Sequence, residues 1–87
     1  MKKTRTPDGK LNFAGRRIAE LRKSMGMSQN WLAGQLQLQG VNLHKNAVSK
    51  AEKGERFISD IELMAFAKAL NVTVEDLLPD VPMDGGW

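Results

Sequence analysis

The sequence has no cysteine and a single histidine. Without cysteine there can be no disulfide framework, thiol nucleophile or Cys/His zinc site, and one histidine cannot assemble a multi-histidine metal centre. No paired carboxylates, glycine-rich phosphate loop or nucleophile with an adjacent base can be assembled, so neither an enzyme nor a bound cofactor or metal is expected. Long apolar runs are also missing. Nothing approaches the ~20 residues that cross a bilayer, and the basic start MKKTRTPDGKLNF is not followed by the apolar stretch of an export signal. The expectation is a cytoplasmic protein with no membrane partner. Strand patterning is confined to Val72-Thr73-Val74, which has no pairing segment in view.

The composition, 41% hydrophobic and 26% charged over 87 residues, belongs to one globular domain with one modest core. A chain this short buries only about 60% of its unfolded surface, so tight helix packing or a partner must contribute, and a homodimer is expected. The net charge of +3 conceals segregation by segment. Residues 1–25 carry eight Lys/Arg against two Asp/Glu, residues 26–58 four against two, and residues 59–87 one against six. A basic front and an acidic back suit a domain that presents one face to a polyanion.

Punctuation and periodicity predict five short helices. Phe13, Ile18, Leu21 and Met25 form the stripe of a first helix over 13–25, stopped at Gly26. Ser28 caps a second helix over 29–38, with Leu32, Ala33 and Leu36 inward and Gly40 as its stop. His44 or Asn42 opens a short third helix in which Val48 and Ala51 face inward, closed by Gly54. Ser59 with Glu62 reads as a capping box for a fourth helix with Leu63, Phe66, Ala67 and Leu70 inward, and Asn71 suits a left-handed end. Thr73 opens a last short helix with Glu75 and Asp76 in its first turn, ended by Pro79. The organisation predicted is a flexible basic arm over 1–11, an all-α domain over 12–78 and a flexible tail over 79–87.

Read together, residues 15–78 resemble the phage-repressor, Cro and XRE-type helix-turn-helix family. The resemblance rests on three motifs in order: Leu21-Arg22 with Gly26-Met27-Ser28-Gln29 before Leu32-Ala33, then Ser49-Lys50-Ala51-Glu52-Lys53-Gly54, then Ala67-Lys68-Ala69-Leu70-Asn71-Val72. It implies a compact five-helix bundle of the lambda-repressor-like type and a double-stranded DNA partner. It also implies a recognition helix at about 44–53, whose base-reading positions are Lys45, Asn46, Ser49 and Lys50. Their spacing keeps them on one helix face, opposite Val48 and Ala51, and their side chains can donate to guanine or pair with adenine. Gln29 matches a phosphate contact at the start of the second helix. His44, Lys53 and Arg56 are further phosphate candidates, as are Arg16 and Arg17, two cations that the helix dipole disfavours in a first turn. Arg22 and Glu52 match an architectural ion pair between the first and third helices. The connection between the second and third helices is longer than the usual family form, with the second helix prolonged through Gln37-Leu38-Gln39 and followed by Gly40-Val41-Asn42-Leu43.

Three further residues carry expectations. Trp31 either covers the extra turn residues or marks a partner surface, and Trp87 ends the glycine-rich tail. Gly34 inside the second helix costs ~1 kcal/mol relative to alanine, which predicts a close helix approach there. The functional expectation is a DNA-binding transcriptional regulator, a repressor by the resemblance. The alternative is an antitoxin or accessory module that uses the same fold to bind another protein.

Overall fold

The computed structural model describes residues 5–80, so Lys2, Lys3 and Trp87 lie outside the described residues. Its helices are α1 (Gly15–Ser24), α2 (Gln29–Leu38), α3 (Lys45–Glu52), α4 (Asp60–Leu70) and α5 (Val74–Leu77), with no strand among the described residues. Hydroxyl side chains open three of them. Ser28 accepts from Trp31 N–H, Ser59 forms the expected capping box with Glu62, and Thr73 forms a second box with Asp76. In that second box the Thr73 backbone N–H, and then its side chain, hold the Asp76 carboxyl below its ordinary pKa. Asn71 ends α4 in the left-handed conformation at φ 57°.

One core joins the five helices. Ile18 of α1, Leu32 and Leu36 of α2, Val48 of α3, Phe66 of α4 and Leu77 of α5 are all fully buried. Trp31 and Val41 pack against this core from outside it, so Trp31 is half-buried rather than a free-standing surface ring. Among the described residues no helix is long and apolar enough to cross a membrane.

The start of α1 departs from expectation because Ala14 is its N-cap residue and supplies no side-chain bond. Asn12 does that work from two residues back. Its Oδ1 accepts from Gly15 N–H at 2.7 Å, while its Nδ2 donates to the carbonyls of Ala51 at 3.1 Å and Arg56 at 2.8 Å. One amide side chain thereby satisfies donors at the start of α1 and acceptors at and beyond the end of α3.

The second half of the predicted free arm folds onto the globule. Thr6 and Lys10 exchange backbone contacts, Thr6 N–H to Lys10 carbonyl at 2.8 Å, while the Thr6 hydroxyl accepts from Lys10 N–H at 2.9 Å. Leu11 N–H donates to the Gly54 carbonyl at 2.8 Å, and the Lys10 stem lies across Gly54. A segment expected to stay loose because it is polar is instead anchored because Pro7-Asp8-Gly9 makes a tight turn, with Gly9 at φ 83°.

Gly34 also differs from expectation. A Cβ built there meets nothing within 4 Å, so this glycine serves no close approach. Gly34→Ala is therefore expected to stabilise the domain by about 0.5–1 kcal/mol through helix propensity alone. Equilibrium urea unfolding measures it, and a loss of stability would mean that α2 has a neighbour on that side.

Candidate functional site

The chemistry of α3 is divided between two faces. Val48 and Ala51 are fully buried, and Leu43 just before the helix is buried too, so one side is committed to the core. Lys45, Asn46 and Lys50 are exposed on the other side, with Ser49 half-buried at its edge. The four positions singled out in the sequence thus lie together, three pointing to solvent and the serine at the margin.

A buried polar network holds this helix in place. Arg22 on α1 donates from Nε to Glu52 Oε2 at 2.7 Å and from Nη2 to Glu52 Oε1 at 3.0 Å, a bidentate pair whose side chains are only 9% and 5% exposed. Arg22 Nη1 donates to the Met27 carbonyl at 2.7 Å, and Gln29 Nε2 donates to Glu52 Oε1 at 2.9 Å. The Glu52 carboxylate raises the Arg22 pKa further above its ordinary value, through the direct hydrogen bonds first, against the opposing effect of burial. The end of α1, the turn after it, the start of α2 and the end of α3 are all fastened at this one point.

Gln29 therefore has one amide hydrogen engaged inside the protein, where the resemblance implied a phosphate contact; an amide nitrogen carries two.

The longer connection between α2 and α3 has its own fastening, and its main residue carried no signal in the sequence. Gln37 Nε2 lies 3.2 Å from the Leu43 carbonyl and 3.2 Å from His44 Nδ1, so its two hydrogens serve two residues of the connection. His44 Nε2 is 3.0 Å from Asn42 Oδ1. These partners match the neutral imidazole with its hydrogen on Nε2: Nδ1 accepts from Gln37 and Nε2 donates to Asn42. His44 is the N-cap residue of α3, but its side chain makes no cap bond. Its ring braces the turn instead.

The remaining phosphate candidates are dispersed. Arg16 and Lys53 line one groove beside α1 and the end of α3, where they are interleaved with Lys10, Lys23, Glu20 and Glu55. Arg17 points elsewhere. Its Nε donates to the Asp76 carbonyl of α5 at 3.2 Å, and its Nη1 is 3.6 Å from Glu20. This gives one of the two first-turn cations a structural reason that the sequence did not offer, the carbonyl of a packed neighbouring helix. Arg56 is half-buried, 3.5 Å from Glu62 through Nη2. Among the described residues no group of three or more His, Asp or Glu is placed to hold a metal ion.

A family model described as helix-turn-helix matches residues 18–77. Among solved structures, the restriction-modification controller protein C.AhdI from Aeromonas hydrophila is 31% identical with a TM-score of 0.65, over 74% of this chain and 86% of that one. The DNA-binding domain of BldD is 23% identical with a TM-score of 0.62, over 91% of this chain and all of its own. No curated protein matches by sequence.

Proposed function

The chain belongs to the helix-turn-helix family, and from that premise we propose that it is a sequence-specific DNA-binding transcription regulator, acting as a repressor, with α3 as its recognition helix. The observation that carries this reading is the exposed face of Lys45, Asn46 and Lys50 on a helix whose opposite face is locked in the core. Lysine donates to guanine O6 and N7 and asparagine pairs bidentately with adenine, so the face offers donors where the major groove offers acceptors. A controller protein of similar fold, 31% identical, is in keeping with a regulatory role. The cationic and polar character of the face favours DNA over a protein partner as its target, since an acidic face would repel phosphates.

In this reading Arg22, Glu52 and Gln29 set the position of α3, and Gln37 with His44 sets where it begins. Lys53 and Arg16 supply phosphate contacts from the groove beside it, and Ser49 reads from the edge of the face. Residues 12–78 form the DNA-binding domain. A homodimer would read two half-sites related by a two-fold axis about one helical turn apart.

Lys45→Ala and Asn46→Ala are each expected to weaken binding to the cognate site by about 1–3 kcal/mol while affecting random duplex less. Selection from a random duplex pool supplies the site, and titrations on cognate and scrambled duplexes measure the two losses. Equal losses on both would remove the residues from base reading.

A further inference from the structure

The connection into α3 alternates between core and solvent. Val41 is half-buried and packs on the core, and Leu43 is buried, while Asn42 and His44 are exposed and their side chains meet. This exposed strip runs on into Lys45 and Asn46 of the α3 face. No side chain caps α3 and no acid stands in its first turn, so the end that Asn42 adjoins is electropositive. In a recognition helix the N-terminal residues are the ones that contact base edges, which places the residues just before them at the groove as well.

From the direction of the hydrogen bonds in this connection we propose that Asn42 is a further base-reading residue and that the base it selects is guanine. The bonds start at Gln37, whose Nε2 donates to the Leu43 carbonyl and to His44 Nδ1, both at 3.2 Å. With Nδ1 engaged as an acceptor, the hydrogen of the neutral ring is on Nε2, which donates it to Asn42 Oδ1 at 3.0 Å. An amide is planar, so turning its oxygen towards His44 places Nδ2 on the far side. Asn42 therefore presents two hydrogens outward and keeps its acceptor on the protein. Pairing with adenine needs a donor and an acceptor together, whereas guanine shows two acceptors, N7 and O6, on its major-groove edge. The bond between Asn42 and His44 joins two exposed side chains, where water competes for both groups, so it adds little to stability. Its contribution is orientation, because the Asn42 amide is aligned before DNA arrives and less freedom is lost on binding.

This assignment rests on the proposed function, since a reading residue needs a groove to read. Selection from a random duplex pool is run on the full chain and on Asn42→Ala, Asn42→Asp and His44→Ala, followed by titrations on the enriched duplex and on its single-base variants. In the unaltered chain one position of the site is expected to be guanine. Asn42→Ala should cut the preference there by about tenfold and leave the other positions as they were. Asn42→Asp still accepts from His44 but has no hydrogen to give, so it too should lose the guanine. His44→Ala frees the Asn42 oxygen and should let adenine compete at that same position, a change that a purely structural role of the ring would not produce. Helix content by circular dichroism accompanies each variant, and if His44→Ala fails to fold, the two exposed Asn42 substitutions decide. A uniform loss on every duplex would make Asn42 a phosphate contact and overturn the assignment. An unchanged site preference in Asn42→Ala would overturn it too, as would a lost preference for any base other than guanine or a folded His44→Ala that keeps guanine alone. A pool in which the unaltered chain enriches no sequence would overturn the DNA reading itself together with this inference, whereas the other failures leave that reading standing.

Discussion

Arg22→Ala is expected to destabilise the domain by about 3–5 kcal/mol, the cost of leaving one member of a buried ion pair without its partner. The pair is bidentate, with contacts of 2.7 and 3.0 Å and side chains 9% and 5% exposed, so solvent cannot replace what is removed. Glu52→Ala should cost a similar amount, because Arg22 and Gln29 both lose their acceptor. The double variant should be less destabilised than the sum of the two, since removing the second charge relieves the penalty created by the first. In a protein whose total stability is on the order of 5–15 kcal/mol, either single change approaches the limit of folding. Urea unfolding of the four proteins in the cycle measures this, and strict additivity would mean that the two residues act independently.

Gly15→Ala is expected to cost about 1–3 kcal/mol, towards the upper end of that range, although it adds a single methyl group at a position where helix propensity favours alanine. A Cβ at Gly15 would stand 2.0 Å from the Ala51 carbonyl oxygen and 2.9 Å from Asn12 Oδ1. The first of these is backbone and cannot rotate away, so α1 and α3 must move apart. Their separation would also strain the Asn12 bonds to the Ala51 and Arg56 carbonyls. The same substitution at Gly34 meets open space and should stabilise. Opposite signs for one chemical change at two helical glycines test the packing of α1 on α3 directly. A melting temperature for Gly15→Ala equal to that of the unaltered chain would show that the two helices are not so close. Because α3 is the proposed recognition helix, Gly15→Ala should also weaken specific DNA binding under conditions where the protein remains folded.

Local chemistry made much of this molecule legible in advance. The spacing of Ile18, Leu32, Leu36, Val48 and Phe66 identified inward faces that are in fact fully buried. Ser28, Ser59 and Asn71 marked helix ends correctly, because a cap is a contact between residues two or three positions apart and a left-handed stop needs only its own residue. The turn at Pro7-Asp8-Gly9 is equally local, but the contact of Leu11 N–H with the Gly54 carbonyl that ties this segment to the globule joins residues far apart in the chain. The Arg22–Glu52 pair was recognised only through resemblance to a family, as nothing in the spacing of two charges thirty positions apart says that they meet.

Helical content, most of the inward face of each helix and the cationic, polar character of the outward face of α3 are written in the order of the residues, although Met25, expected to face inward, is exposed. These follow from periodicity and from contacts within a turn or two. Which glycine lies at a helix crossing, the bonds of Asn12 to the carbonyls of Ala51 and Arg56, the reach of Arg17 to α5 and the hold of Gln37 on the connection into α3 all come from packing. Each of these is a contact whose partner is selected by how whole helices cross. An amide or a hydrogen in place of a side chain carries no mark of that partner until packing brings the two elements together.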